Sequence, residues 1–370
     1  MKKISLLGAT GSIGLQCLEV IRGLKNYRVI SLSAHSNYNL LLKQIKEFKP
    51  AAVCITDRKT YAAVKNKSGK TKILAPEKLN VLAQDRRADI VMVATSGSSA
   101  LIPIYRALKK GKTAAIANKE PLVMAGDILM KAEKKYSGKI IPVDSEHSAI
   151  FHCLKIPGIT PRKIYITSSG GALLAKKHKK ITPEAVLNHP VWKMGKKITV
   201  DSSTGMNKGF EVIEAHHLFG IPFSKIEVIL HPQAVVHGII EHADGSSLAY
   251  LSPPDMKIPI KYALTHPHKK PSKNFTSFKN LNLTFGKFPK ELFPCFSIAV
   301  RAGKKGGIYP AVLCGANETA VEAFLRGKIP FEKIPGIIKK TLAAAKPMKY
   351  SLENVLKAEE RAKKYAEGLL

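Results

Sequence analysis

Apolar runs alternate with amphipathic stretches over the first part of the chain, a pattern typical of α/β domains. Residues 3–7 form an apolar run that predicts a first strand, and residues 15–24 follow with helical periodicity. The pattern therefore predicts an α/β fold that opens with a Rossmann-like domain of about six strands. Later apolar runs predict the remaining strands, with helix-like sequence between them, at residues 28–34, 51–55, 89–94, 113–117 and 138–142.

The pattern is less regular after His147, where strands and helices are mixed and an α+β domain is expected. Strands are predicted at residues 163–167, 225–237 and 246–251, and a helix is predicted at residues 207–219. Helical periodicity then predicts a C-terminal helical bundle, with helices at residues 311–326, 331–345 and 351–370.

These elements predict a division of the chain into four parts. The Rossmann-like domain is expected at 1–144 and the α+β domain at 145–267, with a mobile, lysine-rich loop near 186–196. A polar, irregular linker is predicted at 268–293, and the helical domain at 294–370.

Composition and charge narrow the class of protein. The chain has 370 residues and is 45% hydrophobic, which excludes wholesale disorder. Its 60 Lys and Arg residues against 27 Asp and Glu give a formal charge of +33. This charge fits either a nucleic-acid binder or a lysine-rich surface that attracts small anions. Because the basic residues are spread along the whole chain, we expect the second, with no nucleic-acid partner.

Cysteine usage and hydropathy bear on the compartment. The five cysteines are scattered without a CxxC pair, which argues against a zinc site or a disulfide framework and favours a reducing compartment. No apolar run approaches the length of a membrane span, so no membrane association is expected. A cytoplasmic location is therefore predicted.

The glycines after the first strand indicate a dinucleotide site. The segment Gly8-Ala9-Thr10-Gly11-Ser12-Ile13-Gly14 joins the predicted strand to the predicted helix. Glycines in such a turn let the backbone approach a pyrophosphate, and the helix N-terminus offers free N–H groups to it. The spacing is one residue away from the commonest fingerprint, and a tight turn without a ligand is the alternative interpretation.

The end of the second predicted strand favours NADP over NAD. An NAD enzyme usually carries Asp or Glu there to bind the ribose 2′-hydroxyl, whereas this strand ends in Ala34-His35-Ser36-Asn37. Ser36 and Asn37 could donate hydrogen bonds to a 2′-phosphate, and no carboxylate repels it. The alternative is a polar loop without a ligand.

Carboxylates form the second group of candidate site residues. Asp144 and Glu146 follow the strand at residues 138–142, and Glu211 and Glu214 lie three residues apart on a predicted helix. Asp144 and Glu146 could instead form a solvated turn that caps a helix. Polar residues are nevertheless expected to converge at one edge of the sheet, where ligands of open α/β folds bind. The converging residues are Thr10, Asn37, Ser96, Asn118, Lys119, Asp144 and Glu146.

The α+β region also carries groups that suit an anion. Hydroxyls stand beside glycines in Ser168-Ser169-Gly170-Gly171, although an ordinary turn is an equal alternative. Ser202, Asn207 and Lys208 supply hydrogen-bond donors and one cation, as a phosphate requires. Trp192, the single tryptophan, lies in a polar loop and could be either a core residue or part of a lid.

Together these segments resemble the 1-deoxy-D-xylulose 5-phosphate reductoisomerase family of the non-mevalonate isoprenoid pathway. The resemblance covers residues 1 to about 265 in the family order, and Ala316-Asn317-Glu318 extends it into the C-terminal helices. The glycine turn alone is not specific, whereas the combination of carboxylate motifs with the tryptophan loop is. The matching segments are residues 8–14, Ala117-Asn118-Lys119-Glu120, Val143-Asp144-Ser145-Glu146-His147, Ser169-Gly170-Gly171, residues 189–195, and the stretch from Val200-Asp201-Ser202 through Asn207-Lys208-Gly209-Phe210-Glu211.

The resemblance implies an NADPH- and divalent-metal-dependent enzyme that converts 1-deoxy-D-xylulose 5-phosphate to 2-C-methyl-D-erythritol 4-phosphate. A carbon–carbon bond would break and re-form by retro-aldol and aldol steps, and NADPH would then reduce the branched aldehyde. The cation, Mg²⁺ or Mn²⁺, would polarise the substrate carbonyl. The family also implies a homodimer. The plain alternative is an NADP-dependent dehydrogenase without isomerisation, which would not need three carboxylates around a metal.

The resemblance also implies a role for each matching residue. The metal ligands would be Asp144, Glu146 and Glu211, and three oxygen donors suit Mg²⁺ or Mn²⁺ better than zinc. Lys119, Glu146 and His189 would be catalytic. The substrate would contact Lys119, Ser145, Glu146, Ser169, His189, Trp192, Ser202, Asn207, Lys208 and Glu211. NADPH would contact Thr10, Gly11, Ser12, Ile13, Ser36, Asn37, Asn118, Glu120 and Gly195.

Two positions depart from the family pattern. The family often carries Gly-Lys-Asn where this chain has His35-Ser36-Asn37, and the missing lysine weakens the expectation of a tight 2′-phosphate site. Pro121 replaces the usual serine, but proline is tolerated at the start of a helix.

Overall fold

The chain forms two compact units in a computed structural model that describes residues 1–66, 69–174, 181–188, 190–192, 194–271 and 274–370. The first unit comprises Met1–Asn118, Leu129–Ser148 and Asp255–Ser272, and the remaining residues form the second unit. The predicted four-part division stays a prediction.

The first unit is built on a seven-stranded sheet in which every neighbouring pair of strands is parallel. Its strand order is β4-β3-β2-β1-β5-β6-β7. The predicted Rossmann-like sheet is therefore confirmed, with one more strand than expected. The short edge strand β4 was missed because its three residues carry no buried apolar run. The strands are β1 (Lys2–Leu7), β2 (Tyr27–Ala34), β3 (Ala52–Ile55), β4 (Lys72–Leu74), β5 (Ile90–Val93), β6 (Thr113–Ile116) and β7 (Lys139–Pro142).

Helices follow the strands of the first sheet. A later helix, Lys257–Thr265, packs against the first helix, so that part of the chain returns to the first unit. Two helices run across the division between the units, and one of them is kinked at Ala125. The first seven helices are α1 (Ser12–Arg22), α2 (Tyr38–Phe48), α3 (Arg58–Val64), α4 (Leu79–Gln84), α5 (Leu101–Leu108), α6 (Glu120–Tyr136) and α7 (Ser145–Cys153).

The second unit contains a five-stranded mixed sheet in the order β11-β10-β8-β9-β12. Strands β8 and β9 are parallel, and the other neighbouring pairs are antiparallel. The strand predicted at residues 225–237 is divided in two, because the chain turns at Ala234, where φ is +49°. The stretch predicted as a linker contributes β12. The strands are β8 (Pro161–Ser168), β9 (Ile226–Leu230), β10 (Val236–His242), β11 (Ser247–Leu251) and β12 (Gly286–Lys287).

The remaining helices include the predicted C-terminal ones, which pack on one another. Helices α8, α9 and α11 were not expected, and the hydroxyl-rich sequence of α9 has modest helix propensity. Gly205 separates α9 from α10 with a left-handed φ of +79°, and a Cβ there would lie 2.5 Å from the Phe293 side chain. These helices are α8 (Pro183–Leu187), α9 (Lys196–Thr204), α10 (Met206–Phe219), α11 (Lys257–Thr265), α12 (Pro294–Lys305), α13 (Tyr309–Leu325), α14 (Ile334–Ala344) and α15 (Leu352–Glu367).

Short 3₁₀ turns connect several of these elements, at Pro76–Lys78, Gly97–Ala100, Phe223–Lys225, Lys290–Leu292 and Phe331–Lys333. Within the described ranges, the helices are all too short or too polar to cross a membrane.

Candidate active site

The strands of the first sheet end in register at the edge where the candidate residues were expected. Leu7 pairs with Val93, Val93 with Ile116, and Ile116 with Pro142. The glycine turn, Asn118 and Asp144 therefore leave the sheet from the same edge, which is where open α/β folds bind ligands.

The glycines of the turn are required for different reasons. Gly8 has a φ of +87°, and a Cβ there would lie 2.5 Å from the carbonyl oxygen of Ala94. A Cβ at Gly14 would lie 2.1 Å from the carbonyl oxygen of Gly8, so this glycine lets α1 pack closely on the turn. Gly11 has an ordinary φ of −82°, and a Cβ there would make only contacts of 3.6 Å or longer. Neither packing nor backbone conformation explains glycine at position 11.

The surroundings of Gly11 suit a bound pyrophosphate. Gly11 and Ser12 are exposed, while Thr10 and Ile13 are half-buried. Gly11 is the N-cap of α1 and has no side chain that could accept a hydrogen bond from the N–H groups of the first turn. Its missing Cβ leaves room for a phosphate at free N–H groups.

Three further residues expected to contact the cofactor lie in the first unit. Ser36 and Asn37 are exposed, and the Asn37 side chain accepts a hydrogen bond from the Leu40 N–H at 3.2 Å, which caps α2. Asn118 is buried, and its Nδ2 donates to the carbonyl oxygen of Gly97 at 2.9 Å. Its Oδ1 is buried and has no hydrogen-bond partner among the described residues, so it is an acceptor that a ligand could satisfy.

Asp144 and Glu146 lie at the junction of β7 and α7. Asp144 is buried, and its Oδ1 lies 2.8 Å from Nδ1 of His147, a residue with no exposed surface. This contact fixes the orientation of the carboxylate. Glu146 is half-buried and accepts a hydrogen bond from the Ser145 hydroxyl.

Glu211 belongs to the second unit and is surrounded by hydrogen-bond donors. We call Lys119, Asn207, Lys208 and Glu211 the Glu211 cluster. Lys208 Nζ lies 2.6 Å from Glu211 Oε2, and Asn207 Nδ2 donates to Oε1 at 2.6 Å. Lys119 Nζ is 3.6 Å from the same Oε1. All four side chains are buried, and two ammonium groups lie against one carboxylate.

The hydroxyl-rich turn after β8 lies against α9. Gly170 and Gly171 have left-handed φ values of +89° and +69°, and a Cβ at Gly171 would lie 3.2 Å from the Ser202 carbonyl oxygen. The second unit therefore brings the Ser169 turn close to Ser202 on α9. The Ser202 hydroxyl donates to the Ile198 carbonyl oxygen at 3.0 Å.

The predicted mobile loop is only partly described. Trp192 is half-buried, with its ring centroid 6.1 Å from that of His237. Gly195 is exposed and is the N-cap of α9. His189, an expected catalytic residue, lies outside the described residues.

Glu120, an expected cofactor contact, is buried in an ion pair. Its Oε1 lies 2.7 Å from Lys197 Nζ on α9. Burial raises the pKa of the Glu120 carboxyl, but the charge of Lys197 and its hydrogen bond outweigh burial, so the pKa is lowered. Contact between Glu120 and the cofactor stays a prediction.

Sequence reasoning overlooked several buried partners of the site residues. His147 closes the Val143–His147 motif and no role is predicted for it, although its position three residues after Asp144 places both side chains on one face of a helix turn. Lys197 and Asp201 stand four apart in a helix that was not predicted, so their pairing could not be anticipated. Asn317 lies far along the chain, and no local signal connects it to Asp201.

Three family models match this chain. The model described as 1-deoxy-D-xylulose 5-phosphate reductoisomerase matches residues 4–126. Models of the reductoisomerase C-terminal domains match residues 140–219 and 251–365.

Curated relatives match over nearly the full length. The chain is 46% identical to the 1-deoxy-D-xylulose 5-phosphate reductoisomerase of Thermodesulfovibrio yellowstonii, over 99% of this chain and 98% of the relative. It is 43% identical to the enzyme of the same name from Clostridium kluyveri, with the same coverage.

Solved structures agree with the sequence comparisons. A crystal structure of DOX-P reductoisomerase in complex with NADPH, fosmidomycin and magnesium superposes with a TM-score of 0.95 at 36% identity, covering 100% of this chain and 98% of that one. The Zymomonas mobilis reductoisomerase in complex with NADPH gives a TM-score of 0.89 at 38% identity with the same coverage. The family expected from the motifs is thereby confirmed, and this chain belongs to the 1-deoxy-D-xylulose 5-phosphate reductoisomerase family.

Proposed function

We propose that this chain rearranges and reduces 1-deoxy-D-xylulose 5-phosphate to 2-C-methyl-D-erythritol 4-phosphate, using NADPH and a divalent cation, with the residue roles that follow. One observation supports this activity above the others. A relative named 1-deoxy-D-xylulose 5-phosphate reductoisomerase is 46% identical over 99% of this chain. The plain NADP-dependent dehydrogenase is not favoured, since the three matching family models all describe reductoisomerase domains.

The metal site is proposed to consist of Asp144, Glu146 and Glu211, each of which offers one carboxylate oxygen. The donor set contains only hard oxygen ligands, which fits Mg²⁺ or Mn²⁺. His147 holds Asp144 in one orientation at 2.8 Å, as buried partners of metal ligands commonly do. A second structural relative was solved in complex with magnesium, which supports the choice of a hard cation.

NADPH is proposed to bind along the glycine turn at Thr10, Gly11, Ser12 and Ile13, with further contacts from Ser36, Asn37, Asn118, Glu120 and Gly195. The turn fits NADPH because Gly11 has no Cβ and leaves space for the pyrophosphate. Neither local packing nor the backbone conformation requires glycine at this position. The buried Oδ1 of Asn118 offers an acceptor without a partner in the described part of the chain. The absence of a carboxylate at Ser36 and Asn37 supports a cofactor with a 2′-phosphate.

The substrate phosphate is proposed to bind Ser169, Ser202, Asn207 and Lys208. The lysines of the Glu211 cluster supply positive charge, and the Ser169 turn lies against α9 at Ser202. Lys119, Ser145 and Glu146 would face the substrate oxygens, and His189 and Trp192 would cover the substrate from the loop.

When bound, the cation polarises the substrate carbonyl and NADPH supplies the hydride. The chain's own residues supply orientation and charge. The Lys119 ammonium, held 3.6 Å from Glu211 Oε1, can donate a hydrogen bond to a substrate oxygen on which negative charge develops. Glu146, paired with the Ser145 hydroxyl, can hold or accept the proton of a substrate hydroxyl.

Turnover with the named substrate tests this proposal. NADPH oxidation should require 1-deoxy-D-xylulose 5-phosphate together with Mg²⁺ or Mn²⁺, and EDTA should stop it. NADPH oxidation that persists in EDTA would instead favour a plain dehydrogenase. A homodimer and a cytoplasmic location are further parts of the proposal, which sedimentation and cell fractionation would check.

A further inference from the structure

An ion network lies within the second unit, and only one of its members, Glu120, is among the proposed cofactor contacts. Lys197 Nζ on α9 lies 2.7 Å from Glu120 Oε1 and 2.6 Å from Asp201 Oδ2. Asn317 Nδ2, on α13, donates to the other oxygen of Asp201 at 2.8 Å. We call these four residues the Lys197 network. It connects α6, α9 and α13.

The Lys197 network is costly to bury, which argues that it does more than stabilise the fold. Two buried carboxylates share one ammonium, whose side chain is only 25% exposed. Burial lowers the pKa of Lys197, but the charges of Asp201 and Glu120 outweigh burial and raise it, so the ammonium stays charged. Buried ion pairs are often replaceable by well-packed apolar residues without loss of stability. These residues are therefore suited to fix the relative placement of the helices that they connect.

Each end of the network lies beside a residue of the proposed site. Glu120 directly follows Lys119, whose ammonium faces Glu211. Asp201 directly precedes Ser202, whose backbone contacts the glycine turn after Ser169. Lys197 therefore links the start of α6, which presents Lys119, to α9, which presents Ser202.

We propose that Lys197 is a positioning residue, whose two ion pairs set the placement of Lys119 relative to Ser202 and hence the seating of the phosphorylated substrate. This inference rests on the proposed function. Asn317 acts in the same way from α13, because it fixes the Asp201 carboxylate that Lys197 binds. The Ala316-Asn317-Glu318 motif contains no proposed ligand contact, and this role would account for its asparagine.

The test compares two neighbouring lysines on one helix. Lys197→Met removes the half-buried ammonium, and Lys196→Met removes the ammonium of its exposed neighbour. We expect Lys197→Met to lower kcat/KM for 1-deoxy-D-xylulose 5-phosphate about 100-fold, as a small misplacement of reacting groups does. The NADPH dissociation constant should stay within about twofold, and Lys197→Arg should restore much of the activity. Lys196→Met should match the wild type.

A second variant decides the question if Lys197→Met does not fold. Asn317→Ala removes one hydrogen bond from a neutral donor to the Asp201 carboxylate and leaves both ion pairs of Lys197 in place. We expect it to fold and to lower kcat/KM for the substrate about 10-fold, again without a change in NADPH affinity. An unchanged kcat/KM in folded Asn317→Ala would overturn the proposal.

Two other results would also overturn it. A fall in melting temperature with unchanged kinetics in Lys197→Met would make the network purely structural. A parallel loss of NADPH affinity would assign the network to cofactor binding through Glu120. Failure of the proposed function is distinguishable, because the wild type and Lys196→Met would then not turn over the substrate at all.

Discussion

The glycine turn of the first unit and the Glu211 cluster of the second unit are built in opposite ways. The turn depends on the absence of side chains, since a Cβ at Gly8 or Gly14 would overlap backbone atoms at 2.5 or 2.1 Å. The cluster depends on side chains from α10 and on Lys119, which directly precedes α6, and its shortest contacts join Glu211 to Asn207 and Lys208 at 2.6 Å. We propose that the first region binds its ligand through backbone N–H groups and the second through buried charge.

This difference decides how each region responds to substitution. A side chain added to the turn acts by steric overlap, which is local and does not depend on charge. Removing one partner from the cluster leaves a buried charge uncompensated, which typically costs about 3–5 kcal/mol. Substitutions in the turn should therefore alter cofactor binding or local packing, depending on the glycine, whereas substitutions in the cluster should alter both chemistry and stability.

The largest effect is expected from the proposed metal ligands. Glu211→Gln and Asp144→Asn should each lower kcat about 1,000-fold or more, because the loss of a ligand removes several kcal/mol of stabilisation by the cation. NADPH should still bind, which fluorescence titration would measure. Near-normal activity at limiting Mg²⁺ in either variant would remove that residue from the metal site.

A matched control lies on the same helix as Glu211. Glu214 is also a buried carboxylate of α10, but it is not part of the proposed ligand set. Glu214→Gln should lower the melting temperature while leaving the metal dependence of kcat unchanged. An equal loss of metal dependence would mean that buried charge, not ligation, explains the result.

The next effect concerns the loop that contains Trp192, which is half-buried beside His237. If Trp192 is part of a lid that excludes water, Trp192→Ala should lower kcat/KM about 10- to 100-fold with little loss of stability. If Trp192 is a core residue, the same substitution should instead lower the free energy of unfolding by about 3–5 kcal/mol. Thermal melts and kinetics separate the two interpretations.

Trp192 also reports on its own surroundings, since it is the single tryptophan of the chain. Adding fosmidomycin, which is present in a solved complex of a relative, should change its emission if the loop closes over the ligand. An unchanged spectrum at saturation, together with a large fall in melting temperature for Trp192→Ala, would place it in the core.

The first sheet could be predicted because its signals are local. Each buried strand is a short apolar run, and the glycine turn combines conformation, packing and ligand approach within seven adjacent residues. The strand β4 escaped prediction since it is a three-residue edge strand with one exposed and two half-buried residues. Its parallel pairing with β3 is a property of the sheet, not of its own sequence.

The charged parts of the second unit were only partly predictable. Asn207, Lys208 and Glu211 lie within one helical turn or so of each other, and that spacing is visible in the sequence. The Lys197 network could not be predicted, because Lys197 is one of 60 Lys and Arg residues and because the members of the network come from three separate helices. Tertiary packing alone selects Lys197 and leaves Lys196 exposed.

A smaller effect should distinguish two glycines of the turn. Gly11→Ala should weaken NADPH binding about 10-fold with little change in melting temperature, because its Cβ would meet protein atoms only at 3.6 Å or beyond. Gly14→Ala should instead destabilise the protein by about 1–3 kcal/mol, since its Cβ would overlap the Gly8 carbonyl oxygen. Isothermal titration and thermal melts would measure both. If Gly11→Ala bound NADPH normally, the space at Gly11 would not hold the pyrophosphate.

The smallest effect concerns cofactor choice at Ser36, an exposed residue after β2. Ser36→Asp places a carboxylate where a 2′-phosphate is expected, and repulsion between the two charges should raise KM for NADPH several-fold to about 10-fold. KM for NADH should change less than about twofold, because NADH lacks that phosphate. Ser36→Asn is the matched control, since it has nearly the shape of Asp without the charge and leaves the helix cap at Asn37 in place. Raising the salt concentration should shrink the difference between Asp and Asn, because exposed charges are screened over about 10 Å at 0.1 M salt. An equal loss for both cofactors, or comparable kcat/KM for NADPH and NADH in the wild type, would mean that this loop does not select the cofactor.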